Sequence, residues 1–134
     1  MSDDRFEEGM AMRKAVLGED HVARAEARKT EFDADFHRFI TETAWGAIWT
    51  RPGLDAKTRS MLAIAILASL RCKDELRLHI RATQNTGVSP DELKEVLMQV
   101  AVYAGVPAAN TAFAVAKEVY AKAEAGATGG SSRP

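Results

Sequence analysis

The run MLAIAILASL, Met61–Leu70, narrows the fold of this 134-residue chain more than any other stretch. Ten residues without a charge are too few to cross a bilayer, which takes about 20 in a helix. They also lack the period-two alternation of a half-buried strand. Being apolar all round, the run predicts a central helix buried on every side. Asp55 stands where it can cap that helix, and a break near Arg71–Cys72 ends it.

The rest of the chain follows the same reading. Prolines and glycines gather at joints, in RPGLD, NTGVSPDE and AGVPAAN, and no segment alternates long enough for a strand. A first helix is expected from Phe6 to Leu17, stopped by Gly18, and EDHVARAEARKT reads mostly as loop. EFDADFHRFITETAWGAIW places Phe32, Phe36, Phe39, Ile40 and Thr43 at helical spacing and ends near Trp49. The next helix covers Lys73–Thr86, closed by Gly87. SPDE is the sharpest local signal: Ser89 as cap, Pro90 at the first helical position, Glu92 completing a capping box. Leu93, Val96, Leu97, Val100, Ala101 and Ala104 then form one apolar stripe, with Tyr103 assigned to the core. A last helix runs from about Ala108 to Ala125. The sum is an all-α single domain of about six helices over residues 1–125, followed by a flexible Gly/Ser-rich tail over 126–134.

Charge excludes some partners. Eighteen basic residues against nineteen acidic leave a formal net charge of −1, so no basic field draws the chain to nucleic acid or anionic lipid. MSDDRFEEGM is acidic and lacks an apolar signal core, and the single cysteine rules out an intrachain disulfide; the expected compartment is the cytoplasm.

The chemistry concentrates in CKDELRLHIRA, Cys72–Ala82. On a helical wheel Lys73, Asp74, Arg77, Arg81 and Gln84 gather on a solvent face, while Glu75 and His79 fall among Leu76, Leu78, Ile80 and Ala82. The spacing therefore aims a carboxylate and an imidazole, one turn apart, toward the interior. Burying an unpaired carboxylate costs several kcal/mol, on the order of the penalty for any lone buried ion, so something must compensate. Three readings stay open: a structural pair that satisfies itself, a proton-transfer pair in a pocket, or two of the ligands of a zinc site. Cys72 taken alone reads as packing.

FDADFHRFITETAWGAIWTRPGLDAKTRSMLAIAILASL, then DELRLHIRATQNTGVSPDELKEVLMQVAVYAGVPAANTAFAVAKEV, resembles the carboxymuconolactone decarboxylase family, within the alkylhydroperoxidase D-like superfamily. The likeness extends from about Arg5 to Tyr120. It implies the helical alkylhydroperoxidase D-like fold. Peroxidases of that superfamily carry two cysteines three apart and a histidine four beyond the second; here those positions hold Cys72, Glu75 and His79. Without the resolving thiol, no disulfide cycle runs within one subunit.

The resemblance implies decarboxylation of 4-carboxymuconolactone to an enol-lactone on the protocatechuate branch of the β-ketoadipate pathway. That lactone dicarboxylate is its own electron sink, so neither cofactor nor metal is expected. His79 would deliver the proton, with Glu75 orienting it or acting as the acid. Arg51 and Arg59 would hold the carboxylates, Arg59 having a salt bridge as its other reading. Trp45, with Trp49, is either core and subunit packing or a pocket wall. Asn110 either donates to the lactone carbonyl or caps the last helix. The family also implies a homo-oligomer, commonly hexameric, with helix 31–49 and the stripe Leu93–Ala104 as candidate surfaces. The competing functions are decarboxylation of another small acid, a thiol-dependent peroxidase or disulfide reductase, and a non-catalytic helical assembly module.

Overall fold

Helix ends in this chain are set by local chemistry, and α7 (Pro90–Tyr103) is the clearest case. The Ser89 hydroxyl accepts from the Glu92 amide at 3.1 Å, and the Glu92 carboxylate accepts from the Ser89 amide at 3.0 Å. Two of the amides that a helix start leaves without partners are thereby satisfied. The computed structural model describes the backbone of residues 2–132 and the side chains of residues 4–126. Among the described residues the remaining α-helices are α1 (Ser2–Leu17), α2 (Glu19–Arg28), α3 (Ala34–Ile40), α4 (Ala56–Leu70), α5 (Lys73–Arg81), the single turn α6 (Thr83–Thr86) and α8 (Val106–Ser132). A π-helix, Thr41–Trp49, continues α3, and no strand is present among these residues. The fold is all-α, as expected.

Several boundaries differ from the sequence reading. The stretch read as loop after Gly18 is α2, fixed by the buried Val22 and by a Glu26–Arg13 ion pair at 3.2 Å. The single helix expected over Lys73–Thr86 is divided at Ala82. α8 starts at Val106 and continues to Ser132; the side chains of 127–134, most of the expected tail, lie outside the described residues. The helix expected up to Trp49 ends there but widens into π geometry from Thr41. Threonines in it and at its end bond back along the chain. Thr41, Thr43 and Thr50 donate their hydroxyls to the carbonyls of His37, Phe39 and Gly46, four residues back, at 2.8, 2.7 and 2.7 Å. Those carbonyls are the acceptors an α-helix would assign to backbone amides.

The residues form two compact units: one of the residues up to Arg59 together with Ala82–Gly87, the other of Ser60–Arg81 and the residues from Val88 on. In the first, α1 lies against the π-helix at a point where only glycine fits. A Cβ on Gly9 would run into the Thr41 carbonyl oxygen and stand 2.7 Å from the Gly46 nitrogen; one on Gly46 would run into the Arg5 carbonyl oxygen. Val16, Trp45 and Ala82 form its small apolar core, with Met12, Leu17, Ala44 and Trp49 packed around it. α6 belongs here: Asn85 donates to the Val16 carbonyl at 2.9 Å, satisfying one of the last acceptors of α1.

The second unit holds the larger core. Ile64 and Ala68 of α4, Leu76 and Ile80 of α5, Leu93, Leu97 and Val100 of α7, and Ala112 and Val115 of α8 are all buried in it. The stripe read from α7 is therefore core at Leu93, Leu97 and Val100, whereas Tyr103, expected inside, is 82% exposed. α4 also departs from expectation. It buries the line Ser60, Ile64, Ala68, but Leu62, Ile66 and Leu70 are 49, 56 and 68% exposed. An apolar run states that a helix can be buried on all sides, not that enough neighbouring elements exist to bury it.

Candidate functional site

α5 carries Glu75 and His79, and its placement follows from Leu76 and Ile80, which are 2% and 1% exposed. Asp74 and Glu75 occupy its first turn, where the helix dipole favours negative charge. At ~100° per residue, the direction midway between Leu76 and Ile80 lies about 80° from His79 and about 120° from Glu75. The structure agrees with that arithmetic. His79 is half-buried with its Nδ1 shut off from solvent, whereas Glu75 is exposed. The expectation that both groups point inward into a dry hollow is corrected for Glu75. Leu78, counted as part of an apolar sector, is only half-buried, which moves the sector's centre away from the carboxylate.

α5 is clipped to α8 by a residue read from sequence as merely solvent-facing. Arg77 donates through Nε to Glu118 at 2.7 Å and through Nη1 to Asp74 at 3.2 Å. The Arg77 hydrogen bond and charge hold the Glu118 carboxyl below its ordinary range, and the same bond raises the guanidinium's own pKa. The partners are 41 positions apart, so no local pattern could have announced the pair. It sits two residues before His79 and fixes the rotation of the helix that presents the imidazole.

Cys72 is half-buried at the α4–α5 junction. Arg71 is left-handed (φ 62°), its amide donates to Ala68 O at 3.2 Å, and the Cys72 amide donates to Leu67 O at 3.0 Å. This is the double hydrogen bond of a Schellman closure. The Cys72 carbonyl then accepts from the Leu76 amide at 2.8 Å, so its backbone both ends one helix and begins the next. Among the described residues no three His, Cys, Asp or Glu side chains gather as a metal ion would require.

Arg51 and Arg59 are brought together in the first unit. Arg59 Nη2 donates to the Arg51 carbonyl at 3.3 Å, across the loop that precedes α4. Asp55, which caps α4 as expected, accepts from the Thr58 amide at 2.8 Å. Arg51 is exposed; Arg59 is half-buried, and its Nε is shut off from solvent with no acceptor among the described residues. A guanidinium N–H so placed is incomplete until an acceptor such as a carboxylate oxygen reaches it.

Trp45 is 7% exposed in the first unit's core, its ring stacked on Trp49 with centroids 4.9 Å apart and planes 29° from parallel. In this arrangement it packs. Asn110 is exposed and lies inside α8, four residues past its start, so it does not cap that helix.

Comparison with known proteins gives this geometry its context. A model of the carboxymuconolactone decarboxylase family matches residues 34–118. A 4-carboxymuconolactone decarboxylase of Acinetobacter baylyi is 47% identical over 121 residues, covering 90% of each chain. A nitrosuccinic acid decarboxylase of Metarhizium robertsii is 40% identical over 113 residues, covering 84% of this chain and 79% of its own. A 4-carboxymuconolactone decarboxylase of Pseudomonas putida is 40% identical over 42 residues, 31% of this chain and 88% of its own. With α3 to α7 and α8 as far as Glu118 inside the matched segment, the chain belongs to the carboxymuconolactone decarboxylase family.

Proposed function

We propose that this protein is a carboxy-lyase that decarboxylates 4-carboxymuconolactone. The observation that carries the reading is the 47% identity to the Acinetobacter baylyi enzyme over nine-tenths of both chains. In the reaction the bond from the ring carbon to the carboxylate breaks and carbon dioxide leaves. The electron pair passes through the ring double bond to the lactone carbonyl, and a proton added at carbon gives the enol-lactone. The substrate supplies its own electron sink, so the scheme needs no cofactor or metal, and turnover should survive a chelator. The step belongs to protocatechuate breakdown in the cytoplasm.

The chain's residues divide the work. His79 is the proposed proton donor: its imidazole is half-buried with Nδ1 shut off from solvent, and histidine is the side chain that most often moves protons at neutral pH. Glu75, one turn before it, orients the ring or shares the proton; its exposure means that substrate or a neighbouring copy must cover it before it works in a dry setting. Arg59 and Arg51 are the proposed carboxylate anchors, and the buried Arg59 Nε supports that role. Asn110 is the proposed donor to the lactone carbonyl, while Trp45 acts by holding its unit together. Assembly into a homo-oligomer, a hexamer by family likeness, is supported by the apolar side chains the chain leaves outside: Phe32, Phe36 and Phe39 before the π-helix, Leu62, Ile66 and Leu70 along α4.

The test is direct. Loss of the lactone's ultraviolet absorbance and release of carbon dioxide are followed with purified protein, with and without chelator. We expect turnover in the unmodified protein and in Cys72→Ser. We expect a loss of kcat on the order of 10²-fold or more in His79→Ala and a rise in KM in Arg59→Ala. Hydroperoxide reduction that vanishes in Cys72→Ser would replace this reading with the thiol peroxidase. A second reading rests on the Metarhizium robertsii relative, whose name gives a different small acid. A kcat/KM higher for nitrosuccinic acid than for the lactone decides in its favour.

A further inference from the structure

The turn between α2 and α3 holds a side chain with no task in the single chain. Phe32 is 98% exposed. It is nonetheless carried on a hydrogen-bonded turn. The Thr30 amide donates to the Asp33 carboxylate at 2.8 Å, the Asp33 amide donates back to the Thr30 carbonyl at 3.2 Å, and the Asp33 carboxylate also meets His37 Nε2 at 3.3 Å. The ring stands on a closed turn flanked by the exposed carboxylates Glu31 and Asp35.

Elsewhere, α7 and α8 form an open groove of about 100 Å³ lined by Leu93, Leu97, Phe113 and Tyr120, with the exposed Lys94 and Lys117 beside it. A cavity of ~150 Å³ takes a benzene, and pockets for whole small molecules run from about 300 Å³ upward. This one is smaller than either and open on one side, so it takes the edge of one ring rather than a whole small molecule. Lys94 reaches Asp91 only at 4.0 Å, which leaves its charge available.

We infer that Phe32 of one copy inserts into the α7–α8 groove of a second copy, with Lys94 and Lys117 facing Glu31 and Asp35. Apolar lining and charge sign match, and both partners are carried by every chain. This rests on the assembly reading above and goes beyond it by assigning the contact. Every copy carries both knob and groove, so the contact closes either reciprocally, two copies exchanging rings about a two-fold axis, or head-to-tail around a ring.

The test measures mass in solution by light scattering after size exclusion, on the full chain at micromolar concentration. The unmodified protein is expected as a closed oligomer. Phe32→Ala, and separately Lys94→Glu with Lys117→Glu, are each expected to weaken assembly at least tenfold in protein concentration. Combining Lys94→Glu and Lys117→Glu with Glu31→Lys and Asp35→Lys in one chain is expected to restore the parental mass. Unchanged mass in Phe32→Ala overturns the proposal. So does loss in Phe32→Ala with none in the lysine variant, or a combined variant that stays small, or a parental protein that is monomeric. Lactone turnover is read separately, so failure of the decarboxylase reading leaves these masses interpretable.

Discussion

In the first unit the tightest approach is backbone on backbone, at Gly9 and Gly46; in the second it is side chain on side chain, around Ile64 and Leu97. The first unit compensates for a small apolar core with hydrogen bonds and charge: threonine hydroxyls on the π-helix, Asn85 on the end of α1, and the 4% exposed Arg13 paired with Glu26. The second rests on a continuous core of aliphatic side chains, with the Arg77–Glu118 clip and the Ser89 capping box at its surface. The difference teaches that the same helical composition can be made specific by excluding atoms or by filling space. The two devices fail in opposite directions when a methyl group is added or removed.

The largest effects test that opposition. Gly9→Ala adds one carbon where backbone already occupies the space. It should cost about 3 kcal/mol or more, since overpacking against an unyielding backbone lies at the upper end of its usual range. Leu97→Ala removes atoms from a 0% exposed site and should also cost about 3 kcal/mol, through lost burial and a residual cavity. Urea denaturation measures both. The contrast breaks if Gly9→Ala is tolerated or if Leu97→Ala is nearly neutral.

A smaller effect separates the units by pH. The Lys29 hydrogen bond, with Arg13 adding to it, holds the Glu26 carboxyl below its ordinary 4.5. The folded state then binds fewer protons than the unfolded state just below that value, so stability rises with pH there. The contribution is complete above the ordinary value and disappears as pH falls through the depressed one. Glu26→Gln should remove about 1 kcal/mol at neutral pH, the upper range for a partly exposed pair. It should also flatten the acid limb of thermal melts between pH 3 and 5 (roughly the window of carboxylate titration). An acid limb unchanged by the substitution excludes this pair as its source. The smallest effect is at Arg71, left-handed at φ 62°. Arg71→Gly should stabilise by about 0.5–1 kcal/mol, by relieving that strain at the closure of α4. A lower melting temperature would count against the strain.

What could be read from the sequence tracks how local each cause is. The capping box at Ser89, the stop at Gly87 (φ 87°) and the Asp55 cap lie within four residues of their partners, and all three are found as expected. α2 looked like loop because its support is tertiary: Val22 is buried and Glu26 reaches Arg13 thirteen residues back. The exposed stripe of α4 and the exposed Tyr103 share one reason, since hydrophobicity cannot report which neighbours the topology supplies. At the candidate site His79 was located by its spacing from Leu76 and Ile80. Glu75 turns outward because Leu78, as apolar in sequence as Leu76, is only half-buried. The clip from Arg77 to Glu118 left no trace in the order of residues.

The placement of α6 has a bearing on how the chain is made. Ala82 completes the first unit's core and Asn85 ties off α1, yet both follow more than twenty residues of the other unit in the order of synthesis. A nascent chain cut at Arg59 emerges with that core unfinished and the Val16 carbonyl lacking its donor. The first half therefore waits on the second, and a two-piece version divided at residue 59 should need both fragments present together to regain its α1 end. Such delayed completion leaves the early fragment's apolar surface exposed to chaperones or to aggregation for as long as the α4–α5 segment takes to follow.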